Sequence, residues 1–499
     1  MLHSAVLFGI VGAGGVYVGC SSASPRHELD HLVALSQPRI ILTTSSALSK
    51  VQDVCTARGI CSSRICVVDE RAIMTLVAFA KGQVSTSMPP TSAQKDLSPF
   101  RLEELLCHGQ TDWMRIDSEE EARVTPACMF TTSGTSGLPK AAIRTHHTII
   151  SQHESVHYTV PYSVRRLMAL PMSHSFGDYW ANLFPLRYGE PLFILPRFDL
   201  TEFLAAVQEH QITETYLVPA AVHIIIQTTL PVGERLASLR YIGVSGAPID
   251  GASIERCQSR LHRDAFVGQL WGMSEVGVVF QNRYGDSRHP GGIGTLLAPY
   301  EIRLVQPDNG ETLVYSNAKL EPTQPHNQMG APASPTGELY VRGPGVLLGY
   351  QGRDGALELD GWFRTGDLAY AHDSHYVIIG RTKELIKVRG YSVAPAEIEA
   401  LLMQKEPRVR DVAVIGVSLP DGSSELPRAY IVPASKQTPR MTQDQICMLV
   451  RQHLASYKAP DGGVIFVEDI PRTAIGKPHR SKLARLDAER DRLEAILVE

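Results

Sequence analysis

With 499 residues the chain is too long for one ordinary core, and 43% hydrophobic and 20% charged residues with a net charge of -4 exclude a disordered or fibrous chain. Its 48 Lys and Arg are dispersed among 52 acidic residues, so no basic run or face points to nucleic acid. The eight cysteines (Cys20, Cys55, Cys61, Cys66, Cys107, Cys128, Cys257, Cys447) form no CxxC pair and no metal spacing, which favours a reduced intracellular setting over a disulfide framework or a zinc site.

The apolar opening from Ala5 to Val18 lacks a basic start and is interrupted by Gly9, Gly12, Gly14 and Gly15. It therefore reads as a buried helix leading into a strand rather than as a signal peptide or a membrane span. Short apolar runs follow at Ile40 to Thr43, Ile65 to Val68, Ala127 to Thr131, Leu167 to Ala169, Leu192 to Leu195 and Tyr241 to Val244, alternating with helical patterns. That rhythm predicts buried strands in a layered α/β fold. Gly82 to Pro99 and Ser316 to Thr336 are rich in Pro, Ser, Thr and Gln and read as surface loops. After Pro335 the pattern turns strand-rich, and a fresh α+β pattern begins near Lys383, which puts a boundary at Arg381 between a large domain, 1–380, and a small one, 381–499. The chain ends in Ile496-Leu497-Val498-Glu499, which is not a peroxisomal tripeptide and leaves the cytoplasm as the default.

Directly behind the Ala127 to Phe130 strand lies Thr131-Thr132-Ser133-Gly134-Thr135-Ser136-Gly137-Leu138-Pro139-Lys140. Glycines let backbone N–H groups turn toward an anion, hydroxyls donate further hydrogen bonds, and a lysine neutralises oxygen charge. A polar β-turn accounts for the hydroxyls and glycines equally well, but less readily for the ending Gly-Leu-Pro-Lys. The loop is not a Walker loop, since Gly-x-x-x-x-Gly-Lys-Ser/Thr occurs nowhere in the chain.

This decad resembles the signature loop of the adenylate-forming superfamily, which includes acyl-CoA synthetases, 4-coumarate-CoA ligases and beetle luciferases. Five further motifs follow in the family's order across nearly the whole chain. The resemblance implies a large multi-subdomain α/β domain with a β-rich subdomain, then a small mobile α+β domain. It makes Thr132, Ser133, Gly134, Thr135, Ser136, Gly137 and Lys140 the phosphate grip. Gly246-Ala247-Pro248 and Gln269-Leu270-Trp271-Gly272-Met273-Ser274-Glu275 resemble the adenine-binding segment, with Trp271 in place of the commoner Tyr, Ser274 in place of Thr and Glu275 as the magnesium carboxylate. Taken alone, Trp271 reads as a core aromatic and Glu275 as a surface charge. Trp362-Phe363-Arg364-Thr365-Gly366-Asp367-Leu368 resembles the segment whose Asp accepts from the ribose hydroxyls, and Arg381 would add a second contact to the sugar.

Lys383 matches the hinge position, although Gly380 stands where many relatives carry an acidic residue. Gly390 matches a place where the pantetheine arm of coenzyme A passes the backbone closely. Lys477, in Pro471-Arg472-Thr473-Ala474-Ile475-Gly476-Lys477, matches the adenylation lysine, a cation suited to holding two anions together. His174, in Ala169-Leu170-Pro171-Met172-Ser173-His174-Ser175-Phe176-Gly177, matches the His beside the acid carboxylate, with a satisfied core His as the alternative. Phe176, Trp180 and Pro219 would narrow the acid pocket.

By this resemblance the chain activates a carboxylic acid with ATP and Mg2+ and passes the acyl group to coenzyme A, in secondary metabolism. The absence of the Phe-Asp pattern typical of amino-acid-activating relatives favours a plain acid. Rival readings are an adenylation enzyme loading a carrier protein's phosphopantetheine, a non-catalytic nucleotide-binding relative, and a luciferase-like oxygenase. Gly12-Ala13-Gly14-Gly15-Val16 resembles a region that relatives reach several tens of residues later, which implies a shortened amino terminus.

Overall fold

The computed structural model describes residues 2–498 apart from Ala23, 83–98, 106–110, 133–138, Arg288, Pro290, Asp308, 318–335, Leu359, 373–374, Pro420, 435–440 and 473–477. The chain divides into two compact units, Met1–His146 with Leu347–Asp354, and His147–Val346 with Gly355–Glu499.

In the first unit the helix Leu2–Gly12 leads into the strand Tyr17–Val18. The helix is only partly buried: Ser4 and Leu7 are covered while Ala5 and Gly9 are exposed. Tyr17–Val18 pairs in parallel with Pro126–Thr132, which runs antiparallel to Lys140–Thr145. The short strand Gly349–Tyr350, from far along the chain, closes the other edge of that sheet. A second, parallel sheet joins Ile41–Thr44, Ile65–Val68 and Phe100–Arg101. Val51 and Cys55 of the helix Leu48–Ala57 pack on Ile65 to form its core.

The second unit is built on a seven-stranded sheet in the order Thr295–Leu296, Gly277–Gln281, Phe266–Met273, Tyr241–Val244, Glu214–Leu217, Arg166–Met168 and Leu192–Ile194. The last five are parallel. Tyr241–Val244 and Glu214–Leu217 are buried throughout, as parallel strands covered on both faces must be. The helices Leu200–His210, Pro219–Gln227 and Gly251–Gln258 supply much of the cover through Phe203, Leu204, Val207, Val222, Ile225 and Ile254. Each starts on a recognised signal: Asp199 and Asp250 accept from backbone N–H groups three residues on, and Pro219 opens the third.

An antiparallel sheet follows, in the order Thr312–Asn317, Glu301–Val305, Thr336–Arg342, Phe363–His372 and His375–Arg381. Ser316 and Thr336, read from composition as loop ends, lie in its strands, and Ser316 is buried. The expected loops are otherwise largely outside the described residues. A single 3-10 turn, Thr382–Glu384, separates this sheet from the hairpin Ile386–Val388 and Tyr391–Val393. Arg389 and Gly390 have φ of 47° and 88°, the paired left-handed residues of a tight hairpin turn. Beyond it, Val409–Ser418, Glu425–Pro433 and Val464–Phe466 form a small sheet against the helices Pro395–Lys405 and Gln443–His453. Among the described residues no helix is long and apolar enough to cross a membrane.

Two polar groups lie unusually deep in the second unit. Arg166, 3% exposed, is held by Glu190 at 2.5 Å and Glu214 at 3.0 Å, and Tyr162 donates to the other Glu214 oxygen at 3.0 Å. Replacing Arg166 by Met leaves two largely buried carboxylates without their shared cation, so the unfolding free energy should fall by about 3–5 kcal/mol. A change in chemical unfolding below about 1 kcal/mol would show that the network contributes little.

His153 is buried, lies tilted against Phe184 with ring centroids 4.5 Å apart, and accepts from Arg187 through Nδ1 at 3.0 Å. Burial, then the Arg187 charge, lowers its pKa from 6.5 to about 4. The folded value lies below the unfolded one, so folding favours the neutral ring. Its contribution is complete above pH 6.5 and is lost as pH falls toward about 4. Unfolding midpoints should drop across that window, and the His153→Phe variant should show a shallower drop. An unchanged slope in the variant would assign the acid sensitivity elsewhere.

Candidate active site

Parallel strands deliver their carboxyl ends to one side of a sheet, where the following loops gather. The segment with His174 follows Arg166–Met168, Pro219 follows Glu214–Leu217, and Gly246-Ala247-Pro248 follows Tyr241–Val244. Phe266–Met273 ends in a hairpin whose tip carries Ser274 and Glu275 before Gly277–Gln281 returns. A bulge falls between Trp271 and Gly272. A Cβ on Gly272 would stand 2.1 Å from the Gly277 carbonyl oxygen, so only glycine lets the two strands approach there. Gly246 has φ 94°, which turns the chain at the end of its strand.

Trp271, Ser274 and Glu275 are all buried, at 7%, 6% and 6% exposure, so Glu275 is not a surface charge. Ser274 Oγ lies 3.0 Å from Ser175 Oγ, which ties the hairpin tip to the short helix Ser175–Asp178. His174 caps that helix, its Nδ1 accepting from Phe176 N–H at 3.2 Å. A ring whose Nδ1 accepts carries its proton on Nε2, so the neutral His174 presents a donor there. Phe176 sits edge-on to Tyr216 at 6.3 Å, and Tyr216 stacks on Trp180 at 3.9 Å. Trp180 belongs to a π-helical turn, Tyr179–Leu183, and lines a cavity of about 210 Å³ with Arg166, Glu214 and Phe184. Arg166 and Glu214 open their strands, so this cavity lies toward the amino ends, away from His174 and Pro219.

Asp367 lies opposite Arg381 in the antiparallel sheet. Its carboxylate accepts from Trp271 Nε1–H at 2.9 Å and pairs with Arg381 Nε at 3.0 Å. Its backbone N–H donates to Thr365 Oγ1, which donates to the Leu339 carbonyl. Burial works against the Arg381 cation, but Asp367, Glu384 and Glu275 more than offset it and hold the guanidinium above its usual range. One buried neighbourhood thus collects the aromatic of the Gln269–Glu275 motif, the acid of the Trp362–Leu368 motif and the arginine that begins the next.

Of the other residues, some lie in the first unit, some in the segment 382–390 and some outside the described residues. Thr132 and Lys140 are register partners at the base of an antiparallel hairpin in the first unit, unlike the strand-to-helix turn of a Walker loop. Lys140 Nζ lies 4.7 Å from the centre of the Tyr350 ring. Ser133, Gly134, Thr135, Ser136, Gly137 and Lys477 lie outside the described residues. Lys383 is exposed in the 3-10 turn, and a Cβ on Gly390 would meet open space, so its turn angle is what calls for glycine. Residue-level reading missed Ser175, Tyr216 and Thr365. Ser175 and Thr365 sat inside quoted motifs and could have been flagged as hydroxyls beside the named residues, whereas nothing in the sequence marked Tyr216.

Residues 2–351 match the family profile described as AMP-binding enzyme, and residues 397–477 match the AMP-binding enzyme C-terminal domain. The chain is 62% identical over 497 residues to nicotinic acid-CoA ligase olcI of Penicillium canescens, covering 100% of this chain and 88% of the relative. It is 55% identical over 523 residues to nicotinic acid-CoA ligase pyr1 of Aspergillus fumigatus, covering 100% and 87%. The fold is shared with ATP-bound MatB from Rhodopseudomonas palustris, at TM-score 0.76 and 23% identity over 96% of this chain and 85% of that one. It is also shared with the anthranilate CoA ligase AuaEII in complex with anthranoyl-AMP, at TM-score 0.74 and 22% identity over 96% and 84%.

Proposed function

Because the chain belongs to the AMP-binding enzyme family and is an AMP-forming acid–thiol ligase, we propose that its acid is aromatic, with nicotinic acid the first choice. The observation that carries this reading is the 62% and 55% identity, over the whole chain, to two nicotinic acid-CoA ligases. Phe176, whose backbone N–H is held by His174 Nδ1 and whose ring sits edge-on to Tyr216, supports it, since an aromatic wall suits a flat ring better than a flexible acyl tail.

The acid carboxylate attacks the α-phosphorus of ATP; a P–O bond forms, the bridging P–O bond breaks, and pyrophosphate leaves. The Nε2–H of His174 orients the carboxylate, while Lys477 and the Thr132–Lys140 loop hold the anionic oxygens as charge spreads. Trp271 covers the adenine, and Asp367 with Arg381 takes the ribose. A buried carboxylate at a hairpin tip fits a magnesium ion, and Glu275 would hold one, which neutralises phosphate charge when bound. The thiol sulfur of coenzyme A then attacks the acyl carbon, and AMP departs. The turn at Thr382–Glu384 serves as the hinge between the two half-reactions, with the small domain from residue 381 presenting Lys477 to the first and Gly390 to the second. A cytoplasmic setting suits the seven described cysteines, all free thiols.

Acid-dependent ATP–pyrophosphate exchange with nicotinate, benzoate, 4-coumarate and hexanoate tests the substrate class. Nicotinate should exceed hexanoate by on the order of 100-fold or more, as a shaped site discriminates; a preference for hexanoate would sink the aromatic reading. Adding coenzyme A to the preferred reaction should yield its thioester, whereas turnover only with a carrier protein's phosphopantetheine would reassign the acceptor. In the Lys477→Ala variant, exchange should fall by roughly 10²–10³-fold while thioester formation from supplied acyl-AMP persists. Equal loss of both steps would remove Lys477 from the adenylation role.

A further inference from the structure

A tyrosine at position 271 would offer the nucleotide a ring; the tryptophan found there does something more. Its indole N–H donates to Asp367 Oδ2 at 2.9 Å, and both side chains are buried, at 7% and 6% exposure. The other carboxylate oxygen pairs with Arg381 Nε at 3.0 Å. Behind the carboxylate, Thr365 Oγ1 accepts from the Asp367 backbone N–H and donates to the Leu339 carbonyl. Phe280 packs edge-on to the indole at 5.9 Å and limits its rotation. The carboxylate is therefore gripped on each oxygen from a different strand, with its backbone fixed as well.

We propose that Trp271 is a positioning residue for Asp367, so that recognition of the ribose hydroxyls runs through the indole N–H as well as through the carboxylate. This rests on the adenylate-forming reading, in which Asp367 faces the sugar. A carboxylate held in one plane presents its two oxygens to a sugar edge at a fixed spacing, which suits recognition of two adjacent hydroxyls. Fixing the plane beforehand removes the ordering cost from nucleotide binding, and the benefit is collected only by a sugar that carries both hydroxyls. A phenylalanine would keep an aromatic face for the base and lose the grip. The indole thus couples the base-covering segment to the sugar-binding strand, two motifs 96 residues apart.

Calorimetric titration of the full chain and its Trp271→Phe variant with AMP, 2′-deoxy-AMP and 3′-deoxy-AMP tests this. The wild type should prefer AMP to each deoxy analogue by on the order of tenfold or more, since a lost hydroxyl leaves its partner unsatisfied. In the variant that preference should shrink by about threefold or more, chiefly through weaker AMP binding, while the deoxy analogues bind nearly as before. Loss of affinity for all three by one common factor would overturn the proposal and leave Trp271 a stacking residue alone. A merely structural role also scales all three together, so the ratio separates it. Should Trp271→Phe fail to fold, Trp271→Leu, which also lacks a donor, takes its place and is read by the same ratio. A folded wild type that binds none of the three nucleotides would instead overturn the adenylate-forming reading itself.

Discussion

Parallel pairing fixes direction. Once Arg166–Met168, Glu214–Leu217, Tyr241–Val244 and Phe266–Met273 lie side by side in the same sense, every loop that leaves them must emerge on one side. The histidine segment, the Pro219 helix start, the Gly246 turn and the Trp271–Glu275 hairpin gather there because they follow strand ends, although they are spread over about a hundred residues. The sheet earns this by burying nearly all of its central strands, which is why those segments are apolar without alternation. Chemistry is left to the loops, and the sheet decides only that they meet.

Much of that arrangement was readable from residues. Ile65–Val68 and Tyr241–Val244 run as the apolar pattern predicts, and the neighbouring strands differ from prediction by a residue or so at their ends. Pattern succeeds there because a strand covered on both faces has nothing polar to confuse the period. It fails at Ser316 and Thr336, where small polar residues at strand ends resemble loop composition and only the partner strands Glu301–Val305 and Phe363–His372 make them strand. Arg166 lies just outside the predicted Leu167 to Ala169 run, and nothing local shows that two glutamates, one 24 residues on and one 48, fold against it.

The site divides along the same line. Gly272, Glu275 and Asp367 could be singled out because their motifs are local and chemically unusual. Their mutual contacts were not legible, since the Trp271–Asp367 bond depends on the register of the antiparallel sheet relative to the parallel one. Its chemical sense depends on a single substitution, tryptophan for tyrosine, that looks neutral when only ring area is counted. A motif names the parts; the hydrogen bonds between motifs appear only once distant strands are packed.

The sheet holding the glycine-rich hairpin gains its last strand from Gly349–Tyr350, and the ring of Tyr350 lies under the Lys140 ammonium. On the ribosome the hairpin's own strands are complete at Thr145, and the edge strand follows about 200 residues later, roughly 10 to 40 seconds at ordinary synthesis rates. Through that interval the nascent first unit carries an unpaired edge. The order of translation therefore exposes that hairpin to mispairing or chaperone capture before its closing strand exists.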